Sequence, residues 1–191
     1  DAVHNANFHG QYIANAMDQL AIVLVNMCNL SDRRNNRLLD PARNGDLPPF
    51  LCKENPGIRQ GLMGGQFMAT SLTAEIRQMC TPMSIQSLPS TGDFQDHVSF
   101  GLNAARRTRD ILRNAQYILA FELICACQAA DIRDVGQLSG ATKRLHEMVR
   151  ELVPYRDFDA PLTDHIEAVA AEFETGRFLD AVPEGIDAYD W

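Results

Sequence analysis

The residues with chemistry to offer stand in three short stretches. In Asn5-Ala6-Asn7-Phe8-His9-Gly10 an aromatic side chain precedes an apolar helical pattern, and Gly10 lets the backbone turn there. Phe8 in such a place either packs in a core or projects into a cavity. His9 beside it is a candidate general base or a hydrogen-bonded structural histidine. In Thr91-Gly92-Asp93-Phe94-Gln95 a neutral amide comes immediately before a long helical run, where Gln95 serves as a cap or lines a pocket. Thr91, one helical turn earlier, is a second lining group or a local hydrogen bonder. In Pro56-Gly57-Ile58-Arg59-Gln60-Gly61-Leu62-Met63-Gly64, Arg59 is suited to a carboxylate, of a substrate or of a nearby loop, and Met63 offers an apolar wall. No stretch holds a lysine in a pyridoxal-phosphate context, a phosphate-binding loop or a cluster of metal ligands. Nothing in the chain can therefore act as an electron sink, and no metal is expected.

The elements that position these residues read as helices. Ile13, Ala16, Met17, Leu20, Leu24 and Met27 form an apolar stripe at helical period, which predicts a helix from Gly10 to Leu39, closed by Pro41. Five Pro and Gly positions between Pro41 and Pro56, with Gly57 after them, make 40–61 a loop, and a loop that long is often functional. Phe67, Leu72, Ile76 and Met79 predict a second helix over Leu62 to Cys80, ended by Pro82. Pro82 to Gly92 is a connector. From Asp96 to Ile132 there is no Pro, and Val98, Leu102, Ala105, Leu112, Ile118, Phe121, Ile124 and Cys125 predict a helix of about 37 residues, roughly 55 Å long. A helix of that length needs neighbours along it, hence a bundle and further subunits. Ser139 caps a helix carrying Leu145, Met148, Val149 and Leu152, stopped by Pro154. Thr163 caps the last, carrying Ile166, Val169, Ala170 and Phe173, with Gly176 after it. The acidic end, Val182 to Trp191, reads as an exposed tail or docked segment. The expected architecture is all-α: a long-helix bundle over 1–135 with its loop at 40–61, then C-terminal helices and the acidic tail over 136–191.

Composition narrows the partners. The 191 residues are 46% apolar with a formal charge of −8, and the basic residues are scattered, which argues against nucleic acid and anionic membrane. The apolar runs, Leu20 to Val25 and Ile118 to Cys127 with Glu122 inside, fall short of the ~20 residues of a membrane helix. Five cysteines without a CxxC pair read as reduced thiols of a cytoplasmic protein. The chain opens at Asp1 with neither initiator Met nor signal-peptide pattern, which fits a processed, split or truncated chain.

Asn7-Phe8-His9-Gly10 together with Thr91 to Arg107 resembles the aromatic amino acid ammonia-lyase and 2,3-aminomutase family, which includes the histidine, phenylalanine and tyrosine ammonia-lyases. The resemblance runs through nearly the whole chain. Leu47-Pro48-Pro49-Phe50-Leu51 matches the family's loop, Ser84-Ile85-Gln86-Ser87-Leu88 its connector, and Pro161 to Ala168 is similar to its late Pro-Leu-Ser-Pro-Asp-Ile. The stretch Pro56 to Gly64 is similar to Gly-Leu-Asn-Ser-Gly-Phe-Met-Gly, with Arg59 and Gln60 in place of Asn-Ser. Phe94 stands where asparagine or glutamine is usual.

The resemblance implies the C-terminal part of the ammonia-lyase fold. It also implies the prosthetic group 4-methylidene-imidazol-5-one (MIO), made from an Ala-Ser-Gly tripeptide that does not occur in this sequence. The group would thus be formed outside this segment, with this chain giving one wall of the substrate pocket. The implied partners are an aromatic amino acid, the N-terminal portion of the same enzyme and further copies in a homotetramer. Phe8 would face the prosthetic group and substrate, with Gln95, Thr91 and Met63 as further substrate-binding residues; Met63 stands where plant phenylalanine ammonia-lyases have lysine. Proton abstraction falls to a tyrosine outside this chain, which leaves His9 structural. Histidine ammonia-lyases have glutamate at the position of Gln95, and a buried carboxylate against a neutral ring is costly where an amide is not. The resemblance therefore implies phenylalanine or tyrosine as substrate and an arylacrylate as product, although Asp96-His97-Val98-Ser99 echoes the histidine enzymes. The other readings are a phenylalanine or tyrosine 2,3-aminomutase, then a histidine ammonia-lyase. A noncatalytic helical scaffold is the reading from a different class: the missing Ala-Ser-Gly favours it, and retention of Phe8 with Gln95 opposes it.

Overall fold

The structure is a computed structural model that describes Val3 and residues 8–182. Its described residues hold five α-helices and no strand: α1 (Gln11–Leu39), α2 (Met63–Gln78), α3 (Gly101–Arg133), α4 (Gly140–Leu152) and α5 (Thr163–Thr175). Short 3₁₀ turns at Pro49–Leu51, Val135–Gln137 and Arg177–Ala181 join them. The all-α architecture expected from the sequence is thus present. The acidic end lies, beyond Val182, outside the described residues, as do Asn5, Ala6 and Asn7 of the first motif.

Local capping chemistry sets some helix ends as expected and others not. Ser139 Oγ accepts the Thr142 N–H at the start of α4, and Gly176, at φ 74°, closes α5 in the left-handed region that favours glycine. Thr163 is instead the first helical residue of α5, with Leu162 at the cap and no side-chain cap bond. The largest shift is in α3, which starts at Gly101 rather than Asp96. Phe100 sits at φ 51°, and the Val98 N–H donates to Ser87 Oγ (3.0 Å), which draws the chain before Gly101 against the connector.

The chain divides into two compact units, and the division falls within each of α1, α2 and α3. One unit holds the described residues up to Asn29 together with Leu72–Ala115. Its interior is Ala14, Ala21, Leu24, Val25 and Cys28 of α1, Ile76 of α2, and Ala104, Ile111 and Ala115 of α3. Most of the predicted α1 stripe is on the other side: Ile13, Leu20 and Met27 are exposed, along with Tyr12, Ile22, Val23 and Leu30. The reason is that α1 is apolar on two faces, and the close-packed face is the one with small residues. Leu102 and Leu112 of α3 and Phe67 of α2, also expected in the core, are exposed for the same reason.

The other unit holds Leu30–Ser71 and the described residues from Gln116 onward. Its apolar core joins Leu39, Leu47, Leu51 and Leu62 to Phe121, Ile124 and Cys125 of α3, Val149 and Val153 at the end of α4, and Ile166, Val169 and Ala170 of α5. Helix α2 comes so close to α3 that a Cβ on Gly65 would lie 2.1 Å from the Phe121 ring. The loop at 40–61 is folded into this core through Leu47, Leu51 and Cys52. The buried Gln128 side chain fastens the loop after α4, donating to Arg156 O (2.7 Å) and accepting the Arg156 N–H (3.2 Å). On α4, His146 and Arg150 both pair with Asp131 of α3.

None of the five cysteines is in a disulfide, and all but Cys80 are buried. By length and composition α1 and α3 would each reach across a membrane, which a search for unbroken apolar runs does not reveal. Half of that stretch of α3 and a third of that of α1 are buried within the chain.

Candidate functional site

Phe8, Thr91 and Gln95 all belong to the first unit. The turn carrying two of them is a closed loop of backbone: Ser90 N donates to Gln95 O (3.0 Å) and Gln95 N to Ser90 O (3.2 Å). Closure forces Thr91, Gly92 and Asp93 to φ of 55°, 63° and 66°, a region in which a β-branched residue is strained. Thr91 is thus the exposed corner of a turn and not one helical turn before Gln95; its hydroxyl donates to Ser90 O (2.7 Å). The backbone hydrogen bonds of Gln95 are made inside the turn, and its half-buried side-chain amide takes no partner among the described residues. Phe94 beside it is 84% exposed.

Phe8 reaches this segment through rings. Its ring meets His9 edge-on at a centroid distance of 5.5 Å, and His9 meets His97 edge-on at 5.2 Å. His9 is held by its aromatic neighbours, in keeping with a structural role. Phe8 itself is 77% exposed, so the structure does not bury it in a core.

The connector that carries the turn is anchored on an ion pair between the buried Asp18 and the half-buried Arg107. Asp18 of α1 accepts the N–H groups of Met83 (3.2 Å) and Ser84 (2.9 Å) and pairs with Arg107 of α3, which also donates to Thr81 O. Burial alone would push the Asp18 carboxyl up. The hydrogen bonds from Ser84 and Met83 and the Arg107 charge outweigh it, and its pKa lies below the ordinary value. The cleft of about 470 Å³ in this unit, lined by Met79, Met83, Leu88, Phe100 and Arg107 among others, includes none of Phe8, Thr91 and Gln95.

Met63, the first residue of α2, is half-buried and belongs to the second unit. Arg59 nearby in sequence is engaged within its own unit: it donates to the carbonyl of Asp157, while the Gln60 and Gly61 N–H groups bond the Asp159 carboxylate (3.1 and 3.0 Å). Arg59 is thus held by a main-chain carbonyl of its own unit and not by the loop carboxylate expected for it.

Sequence reasoning passed over His97, Gln11 and Asp18. Each is an ordinary polar residue in its own stretch, and its role depends on partners distant in the chain.

The comparisons with known proteins agree with one another. The family model for aromatic amino acid lyases matches residues 1–151. The chain is 50% identical over 180 residues to the tyrosine ammonia-lyase of Cupriavidus metallidurans, covering 94% of this chain and 34% of that protein. It is 38% identical over 186 residues to the histidine ammonia-lyase of Natranaerobius thermophilus, covering 97% and 36%. Among solved structures, Pantoea agglomerans phenylalanine aminomutase matches with a TM-score of 0.87 at 56% identity, covering 89% of this chain and 33% of that one. The chain spans about a third of the length of these relatives. Because the family match takes in the Phe8, Met63 and Gln95 stretches together, and the fold matches that of a solved relative at 56% identity, the chain belongs to the aromatic amino acid lyase family.

Proposed function

We propose that this chain is part of an MIO-dependent ammonia-lyase that eliminates ammonia from phenylalanine or tyrosine to give an arylacrylate. Gln95 carries the reading: a neutral amide in a closed turn, with its side chain free of partners among the described residues. Such a group can meet an uncharged ring without the cost of burying a carboxylate.

The Ala-Ser-Gly source of MIO is not in this sequence, so the group would come from residues outside it. What the chain offers fits a wall against such a group. Phe8 and Phe94 present rings to the outside, and the Gln95 amide has hydrogen-bonding capacity to give. When bound, MIO supplies an electron-poor centre that makes the substrate's amine a better leaving group. The tasks of this chain are narrower: Phe8 excludes water and packs on the substrate, Gln95 sets which ring edge is accepted, and Thr91 lines the remainder of that wall, while Met63 of the other unit offers an apolar surface of its own. The enzyme we propose is a cytoplasmic homotetramer. Its other subunits and its N-terminal portion would cover the apolar outer faces of α1 and α3.

A second reading, a 2,3-aminomutase that returns ammonia to the β-carbon, is supported by the 56% identity to a phenylalanine aminomutase. It uses the same wall and differs in how long the product is held.

The test is Gln95→Glu in the full-length enzyme. A carboxylate against a neutral ring should lower kcat/KM for phenylalanine and tyrosine about 10- to 100-fold, the equivalent of roughly 1.4–3 kcal/mol. Unchanged kcat/KM would remove Gln95 from the pocket and with it the basis for an uncharged substrate.

A further inference from the structure

We infer that His97 is a positioning residue that locks the Gln95 turn to the Phe8 segment, an inference that rests on the proposed substrate wall. Phe8 and Gln95 come from parts of the chain far apart in sequence, and neither holds itself in place. Phe8 is largely exposed, and the Gln95 turn is strained at Thr91 and Asp93. A wall built from two such groups needs a joint, and His97 makes it with its whole ring.

The hydrogen bonds fix the direction of each contact. Gln11 Nε2 at the start of α1 donates to Ser84 O (3.1 Å) and Asn15 Oδ1 (3.2 Å), so Gln11 Oε1 is left as an acceptor. His97 Nε2, 3.1 Å from that oxygen, must donate to it. In the neutral ring His97 Nδ1 then accepts from the Ser87 hydroxyl at 3.2 Å, and Ser87 Oγ in turn accepts the Val98 N–H at 3.0 Å. The ring thus donates from Nε2 to α1 and bridges it to the connector, two residues past Gln95. Its edge also receives His9, which receives Phe8. One side chain therefore sets both the start of α1 and the end of the turn.

The experiment uses the full-length enzyme with His97→Phe, which keeps a ring and removes both hydrogen bonds, and His97→Gln, which keeps a donor toward Gln11. Steady-state kinetics, thermal melts and hydrogen exchange of the 84–98 and 8–15 segments are read for each variant, alone and with Phe8→Ala. We expect His97→Phe to lower kcat about 10- to 100-fold with KM changed less than kcat, as a misplaced wall does. It should also speed exchange in both segments. His97→Gln should recover part of the loss, and His97→Phe should cost less than about twofold more once Phe8 is already alanine. Wild-type kcat in His97→Phe, full additivity with Phe8→Ala, or activity lost only in proportion to unfolded protein would each overturn the inference. A wild-type enzyme that turns over no aromatic amino acid would instead sink the functional reading. The exchange data would still decide the joint, since unaltered exchange in both segments contradicts it.

Discussion

Asp18 holds the connector by its carboxylate, and its removal has a calculable consequence. A buried ion pair is costly to form but more costly to break, because the surviving charge is left without its partner. Asp18→Asn strands the half-buried Arg107 and weakens the bonds to Met83 and Ser84, and should destabilise the protein by about 3 kcal/mol. Because the folded pKa is depressed below the ordinary 3.8, the contribution is fully present above that value and is lost as pH falls through the lower folded one. Thermal melts should show a wide gap between wild type and variant at neutral pH, narrowing below about pH 4. A gap that stays constant down to acid pH would mean that the carboxylate charge is not what holds the connector. At this scale the sequence was legible in part. Phe8, Gln95, Thr91 and Met63 stand out by type and setting, whereas His97 and Asp18 do not, because their significance comes from Gln11, Ser87, Ser84 and Arg107.

The helices were legible in extent and less so in facing. Periodicity placed α1, α4 and α5 within a residue or two, and local chemistry at Ser139 and Gly176 fixed ends that depend on nothing distant. The start of α3 was missed because it depends on a contact between Val98 and Ser87 and on the left-handed Phe100. The buried face of α1 was missed because apolar content does not reveal closeness of approach; the packed side is the one bearing Ala14, Ala21 and Cys28. Gly65 on α2 makes the same point. With the Phe121 ring fully buried against it, Gly65→Ala has no space, and the helix–helix approach must widen. Although alanine is the better helix former, the variant should lose about 1–3 kcal/mol to overpacking. Chemical denaturation would check this; a variant as stable as wild type or more so would show that the ring moves aside freely.

At the scale of the whole molecule, what the chain leaves uncovered says most. Ile13, Leu20, Val23, Met27 and Leu30 stand outward along α1, an apolar face of the kind that subunit contacts bury. With Leu20→Glu and Val23→Glu together, the full-length enzyme should keep its helical content and lose its assembly, seen as a fall in mass by light scattering. An unchanged mass would place the subunit contact elsewhere. The all-α class and the family were legible from the chain; the substrate was not, because relatives at comparable identity bear the names of tyrosine, phenylalanine and histidine enzymes. The most direct measurement is therefore the ultraviolet spectrum of the assembled full-length enzyme incubated separately with phenylalanine, tyrosine and histidine. An arylacrylate band should grow with phenylalanine or tyrosine and not with histidine; urocanate from histidine, with the other two unreacted, would contradict an uncharged aromatic substrate.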